Sequence, residues 1–101
     1  MVARYRIRYW RDIPSVVMAE DEHGRSKAIL PQRFQDAIDR AAMVSGATNT
    51  DDYLDGWVWG ASHELTGSAP MAVNLLVARL DTEYPDERLE EIVRSYRREG
   101  C

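Results

Sequence analysis

Arg4, Arg6 and Arg8 alternate with Tyr5, Ile7 and Tyr9 near the start of the chain. That two-residue period is the signature of a half-buried strand, so one face of the resulting sheet is cationic. Trp10 falls on the arginine face by parity, and Trp57 and Trp59 supply a second two-residue aromatic period. The pattern predicts a platform of guanidinium and indole groups built from Arg4, Arg6, Arg8, Trp10, Arg11, Trp57 and Trp59, a surface suited to binding. No nucleophile with its base, no metal-ligand spacing and no phosphate loop is legible, so no catalytic residue, metal site or cofactor is expected.

The 101 residues are enough for a single domain with one core, and too few for a deep pocket between two domains. Hydrophobic residues at 45% and charged residues at 30% are ordinary for a globular domain. The longest mainly apolar stretch, 69–78, is far short of a membrane span, and the N-terminus lacks the pattern of a secretory signal, so a cytoplasmic protein without a membrane anchor is expected. The lone Cys101 reads as an incidental thiol. Charge is unevenly spread: residues 1–40 hold 8 basic and 6 acidic groups, net +2, and residues 41–101 hold 5 and 11, net −6. Such polarity favours oriented docking to another macromolecule.

Along the chain, a strand is expected from Arg4 to Trp10, a turn at Asp12-Ile13-Pro14-Ser15, a return strand to Glu20, and a second turn at Asp21-Glu22-His23-Gly24. Arg25 to Leu30 reads as a short third strand or an extended lead-in. Pro31 opens a helix whose stripe of Phe34, Ala37, Ile38, Ala41, Ala42 and Ser45 ends at Gly46, with Asp36 and Arg40 paired one turn apart on its polar face. A polar loop follows over 47–52, and 53–63 reads as one strand, large on the Tyr53, Asp55, Trp57, Trp59 face and small on the Gly56, Gly60 face. The glycine face suits a helix backbone lying close, which would leave the tryptophans open beside the arginines. The alternative is that the indoles are core. Ser68 caps a helix that is apolar on nearly all sides from Met71 to Leu80, and a last helix from Pro85 carries the stripe Leu89, Ile92, Val93 and Tyr96, which should cover part of it. Arg94, Arg97 and Arg98 complement the dipole of that last helix. Any apolar area left over would be a subunit or partner surface.

The fold class is therefore α+β, an antiparallel sheet of three to four strands in the order ββ(β)αβαα with helices mainly on one face. His23 reads as a solvated turn residue and His63 as a structural or solvated strand-end residue. Two roles remain for the platform. Alternating arginine with Tyr and Trp on an open sheet is how single-stranded nucleic acid is cradled, but a pI near 5.1 opposes it. A protein-interaction surface fits the composition better; set against both is a purely structural lattice in which Arg6 and Arg8 stack on the indoles and pair with Asp55.

The segments YRIRYWRDIPSVVMAED, LPQRFQDAIDRAAM and YLDGWVWG resemble the small bacterial domain labelled virulence factor, which is also found in conserved virulence factor C-type proteins. The resemblance covers about residues 3–60 and rests on Tyr9 to Pro14, Arg33-Phe34-Gln35, Ala37-Ile38-Asp39 and the Trp57 region. It implies a domain that occurs alone or fused to scaffold segments, and whose stand-alone members occur beside corrinoid- and folate-dependent methyl-transfer proteins. The expected function is thus a non-catalytic interaction or accessory subunit, linked through that resemblance to one-carbon metabolism, with a protein partner or self-association. Single-stranded nucleic-acid binding is the alternative.

Overall fold

The alternating N-terminal segment forms β1 (Val2–Trp10), and it lies inside a five-stranded antiparallel sheet. The structure, a computed structural model, describes residues 1–47 and 50–99. On one side β1 pairs with β2 (Ile13–Asp21), which pairs in turn with β3 (Gly24–Ile29). On its other side β1 is shared by two short strands, β4 (Trp57–Trp59) against Arg8 to Trp10 and β5 (His63–Thr66) against Val2 to Tyr5. The helices are α1 (Gln32–Ser45), α2 (Thr50–Asp55), α3 (Ala69–Glu83) and α4 (Asp86–Glu99). The α+β class holds, with one more strand and one more helix than the sequence indicates.

The turns obey local chemistry. The first hairpin is tighter than expected: Arg11 and Asp12 alone make the turn, with Arg11 left-handed at φ 53°, and Ile13 and Pro14 already belong to β2. Pro14 is accommodated by a register shift at Arg8/Tyr9, where β2 bulges. At the second turn the Asp21 carboxylate accepts from the His23 and Gly24 amides at 2.7 and 3.0 Å. Its other oxygen accepts from the Ala69 amide at 2.7 Å, tying the β2–β3 turn to the start of α3. These three amides, Ala69 first, hold the Asp21 carboxyl below its ordinary value. Ser68 caps α3 by accepting from the Met71 amide, and Gly46 closes α1 in the left-handed region at φ 82°.

Pleating gives the sheet two faces. Ala3, Tyr5, Ile7, Val17 and Ala19 form the inner face, which α3 covers with Ala72, Val73, Leu76 and Leu80. Helix α4 does not cover α3 as expected; it packs along α1, burying Leu89 and Val93 beside Ile38 and Ala41. The two helical layers meet through Arg33, whose guanidinium donates to the Tyr84 carbonyl at 2.6 Å and to the Asp81 carbonyl and carboxylate at 2.9 and 2.7 Å. This supplies cationic donors to the carbonyl end of α3, where the helix dipole favours them. Arg40 bridges to Glu90 of α4 rather than to Asp36, which accepts from Gln32 instead.

The greatest departure lies in 53–63. Tyr53 to Asp55 end a helix, and the expected strand is broken at Gly60 to Ser62 into two short pieces. Gly56 answers to an indole, not to a helix: a Cβ there would sit 2.5 Å from Trp10 Nε1. Gly60 lies against β1, its amide donating to the Ile7 carbonyl at 2.8 Å. Of the polar loop expected over 47–52, Thr48 and Asn49 lie outside the described residues, and 50–52 are helical. The side chains of Arg97 and Arg98, and Cys101, also lie outside them.

Candidate docking face

Register decides which side chains share the outer face, because directly opposed residues of antiparallel strands point the same way. One row reads Glu64, Arg4, Glu20, Arg25; the next Arg6, Met18, Lys27; the third Trp59, Arg8, Val16, Ile29; the last Trp57, Trp10, Ile13. The structure thus brings Arg4, Arg6, Arg8, Trp57 and Trp59 onto one face. Val16, Met18, Arg25, Lys27 and Ile29 join them, and these the sequence reading left out. Their signal was present as the alternation Arg25, Lys27, Ile29, but it becomes informative only once β3 is known to pair with β2 in that register.

Two of the candidate residues lie elsewhere. Trp10 is completely buried: its Nε1 donates to the Tyr53 carbonyl at 2.8 Å and its ring meets Tyr53 and the edge of Tyr96. Parity placed it correctly on the outer side, but α2 and α4 roof that end of the sheet, so it is core and not platform. Arg11, set apart by its left-handed backbone, lies over Trp10 at 4.7 Å and Tyr96 at 5.5 Å. The Asp12 amide donates to the Tyr96 hydroxyl, which donates to the Asp12 carboxylate at 2.7 Å. Burial first, and then this bond to Asp12, raise the Tyr96 phenol above its ordinary value.

The open part of the face is a ladder of stacked cations and rings. Arg8 lies 4.7 Å from the Trp57 ring and 5.9 Å from Trp59, and Arg6 lies 5.7 Å from Trp59. Each such contact contributes about 0.5–1 kcal/mol at an exposed site. Trp57 is half-buried, whereas Trp59 keeps 39% of its surface exposed and Ile29 keeps 74%. Arg6 also donates to the Gly60 carbonyl at 3.0 Å, so the expected pairing of Arg6 and Arg8 with Asp55 is replaced by a backbone contact and ring stacking.

Charge compensation on the face is incomplete. Glu20 takes both Arg4 at 3.4 Å and Arg25 at 2.9 Å. Arg6, Arg8 and Lys27 have no carboxylate partner among the described residues. Three cations without carboxylate partners among the described residues therefore lie beside Met18, Val16 and Trp59 on the outer face of the sheet. Among the described residues no group of three or more His, Cys, Asp and Glu side chains is placed to hold a metal ion, and no helix is long and apolar enough to cross a membrane.

Neither the curated proteins nor the solved structures yielded a match. The family model described as Virulence factor matches residues 8–93, which extends the resemblance beyond the first sixty residues through α3 and into α4. The chain belongs to the Virulence factor family.

Proposed function

We propose that this protein is a non-catalytic interaction subunit of a bacterial multiprotein system, and that its outer sheet face docks an acidic protein surface. The observation that carries this reading is the row of Arg6, Met18 and Lys27 beside Arg8 and Trp59: cations without carboxylate partners among the described residues, interleaved with the half-buried Met18 and the exposed Trp59. Interfaces are enriched in Arg, Met and Trp at their centres, and a rim of uncompensated positive charge steers an acidic partner into register.

Two features favour protein over single-stranded nucleic acid. The formal charge of the whole chain is −4, and Asp81, Glu83, Asp86, Glu87, Glu90 and Glu91 gather on the helical side, so a long polyanion is repelled outside the small basic face. The arginines also stack on the indoles that bases would need. The family resemblance to domains occurring beside corrinoid- and folate-dependent methyl-transfer proteins directs the search for the partner to that cytoplasmic machinery.

The test is capture from native lysate on the immobilised domain, with and without nuclease, followed by elution in rising salt. The reading expects a discrete protein that survives nuclease and elutes with salt. Loss of all captured material after nuclease, or submicromolar binding of single-stranded RNA or DNA near about 0.15 M salt, would replace it with the nucleic-acid reading.

A further inference from the structure

The inner face of the sheet is covered unequally. Val17 and Ala19 of β2 are fully buried, yet their opposite numbers Ile7 and Tyr5 on β1, and Tyr9 beyond them, are only half-buried. Helix α3 lies over β2 and β3 and leaves the β1 side of this face exposed as a trough of about 280 Å³. Its floor is Tyr5, Ile7 and Tyr9, its helical wall carries Arg79 and Glu83, and Tyr84 stands at its end.

The chemistry of this trough is specific. Tyr84 packs edge-on against the Phe34 ring and carries the Arg88 guanidinium 4.1 Å from its centroid. Tyr5, Tyr9, Glu83 and Tyr84 line the trough together, and the Tyr9 phenol is raised above its ordinary value by burial first and then by Tyr84, Tyr5 and Glu83. Arg79 and Glu83 are four residues apart on α3, a spacing that puts them side by side on one helix face. They do not pair with each other, and neither charged group has a hydrogen-bond or ion-pair partner among the described residues.

We propose that the trough is a binding site for a free aromatic α-amino acid. Its carboxylate meets Arg79, its ammonium meets Glu83, and its ring lies against the phenols of Tyr5 and Tyr9. A guest with only a carboxylate would gain Arg79 and face repulsion from Glu83; a guest with only an amine would meet the converse. A small zwitterion satisfies both at once. The ring requirement follows from the floor, since phenol rings favour a flat aromatic guest over an aliphatic one. The volume sits at the small end of ligand pockets, which run from about 300 Å³ upward, and so sets the guest at the size of a single amino acid. This site is on the opposite face of the sheet from the docking surface and does not depend on it.

Calorimetric titration of the whole chain with L-phenylalanine, 3-phenylpropionate, phenethylamine and glycine tests the proposal. L-Phenylalanine should bind saturably, and each of the other three, lacking the amine, the carboxylate or the ring, should bind at least tenfold more weakly. Arg79→Gln should weaken L-phenylalanine at least tenfold and erase its advantage over phenethylamine, and Glu83→Gln should erase its advantage over 3-phenylpropionate. Both positions are solvent-exposed, so unchanged melting of the variants is expected. Absence of saturable binding at millimolar L-phenylalanine, equal binding of all four compounds, or undiminished binding by Arg79→Gln would overturn it.

Discussion

Trp10 and Trp59 project from neighbouring strands onto the same side of the sheet, one rung apart, and their fates are opposite. Trp10 is completely buried and bonded through its indole nitrogen, whereas Trp59 keeps 39% of its surface exposed and rests against guanidinium groups. The difference lies in what the chain lays over each end. At the hairpin end Tyr53 of α2 and Tyr96 of α4 close over Trp10, and Gly56 lacks the Cβ that would collide with the ring. One rung away, the guanidinium groups of Arg6 and Arg8 lie against the Trp59 ring. Strand parity chooses the face of a residue; long-range packing chooses whether that face is core or surface.

Replacement of the two indoles should break the symmetry most sharply. Trp10→Ala removes a fully buried ring together with its bond to the Tyr53 carbonyl, and should cost about 3–5 kcal/mol, lowering Tm by on the order of 20 °C. Trp59→Ala should cost about 1 kcal/mol or less, since it loses only exposed stacking. Comparable melting of the two variants would show that the roofed and open ends are not distinct.

Gly56→Ala sharpens the same contrast from the backbone side. Its Cβ would stand 2.5 Å from Trp10 Nε1 and 2.6 Å from Cε2, so overpacking should cost about 1–3 kcal/mol in chemical denaturation. An unchanged midpoint would mean that the Trp10 ring is free to move. Tyr96→Phe should cost about 1–2 kcal/mol by leaving the Asp12 carboxylate and amide without their hydroxyl. Because the folded phenol is raised above its ordinary value of 10.0, its contribution is fully present below about pH 10 and is lost as pH rises toward the folded value. Stability curves of wild type and Tyr96→Phe should therefore converge in alkali; parallel curves would refute the Tyr96–Asp12 link.

Much of this architecture was legible in the chain. The arginine period of β1, the Phe34 to Gly46 stripe, the Ser68 cap and the Leu89 to Tyr96 stripe all rest on local periodicity or turn chemistry, and each appears where expected. What could not be read was tertiary. Trp57 and Trp59 alternate as strand residues do, but nothing local reveals that the strand holds only Trp57 to Trp59 or that α2 precedes it. The partner of α3 was misassigned for the same reason: an apolar helix declares that it will be covered without declaring by what. Local chemistry marks Asp21 as a turn residue, but the bond its other oxygen accepts from Ala69 spans 48 positions of sequence. Within the docking face, Arg4, Arg6 and Arg8 followed from parity, while Met18 and Lys27 required the register of β2 and β3.

The smallest expected effect concerns that turn, on the side of the sheet away from Trp10. The Asp21 carboxyl, held below its ordinary value of 3.8 by the Ala69 and His23 amides, contributes stability that is present above about pH 4 and is lost as pH falls through the lowered folded value. Asp21→Asn should flatten the acid limb of the stability curve and leave the alkaline limb in place. An acid limb that persists in this variant would assign it to other carboxylates.

The account turns on the open end of the outer face being a recognition surface that stability does not need. Its most direct test is Arg6→Glu with Lys27→Glu, assayed by capture of the partner from nuclease-treated lysate beside a thermal melt of the same preparation. The account predicts that the partner is lost while Tm stays within about 5 °C of wild type, since both side chains are exposed and neither pairs with a carboxylate among the described residues. Undiminished recovery of the partner by a folded double variant would contradict it.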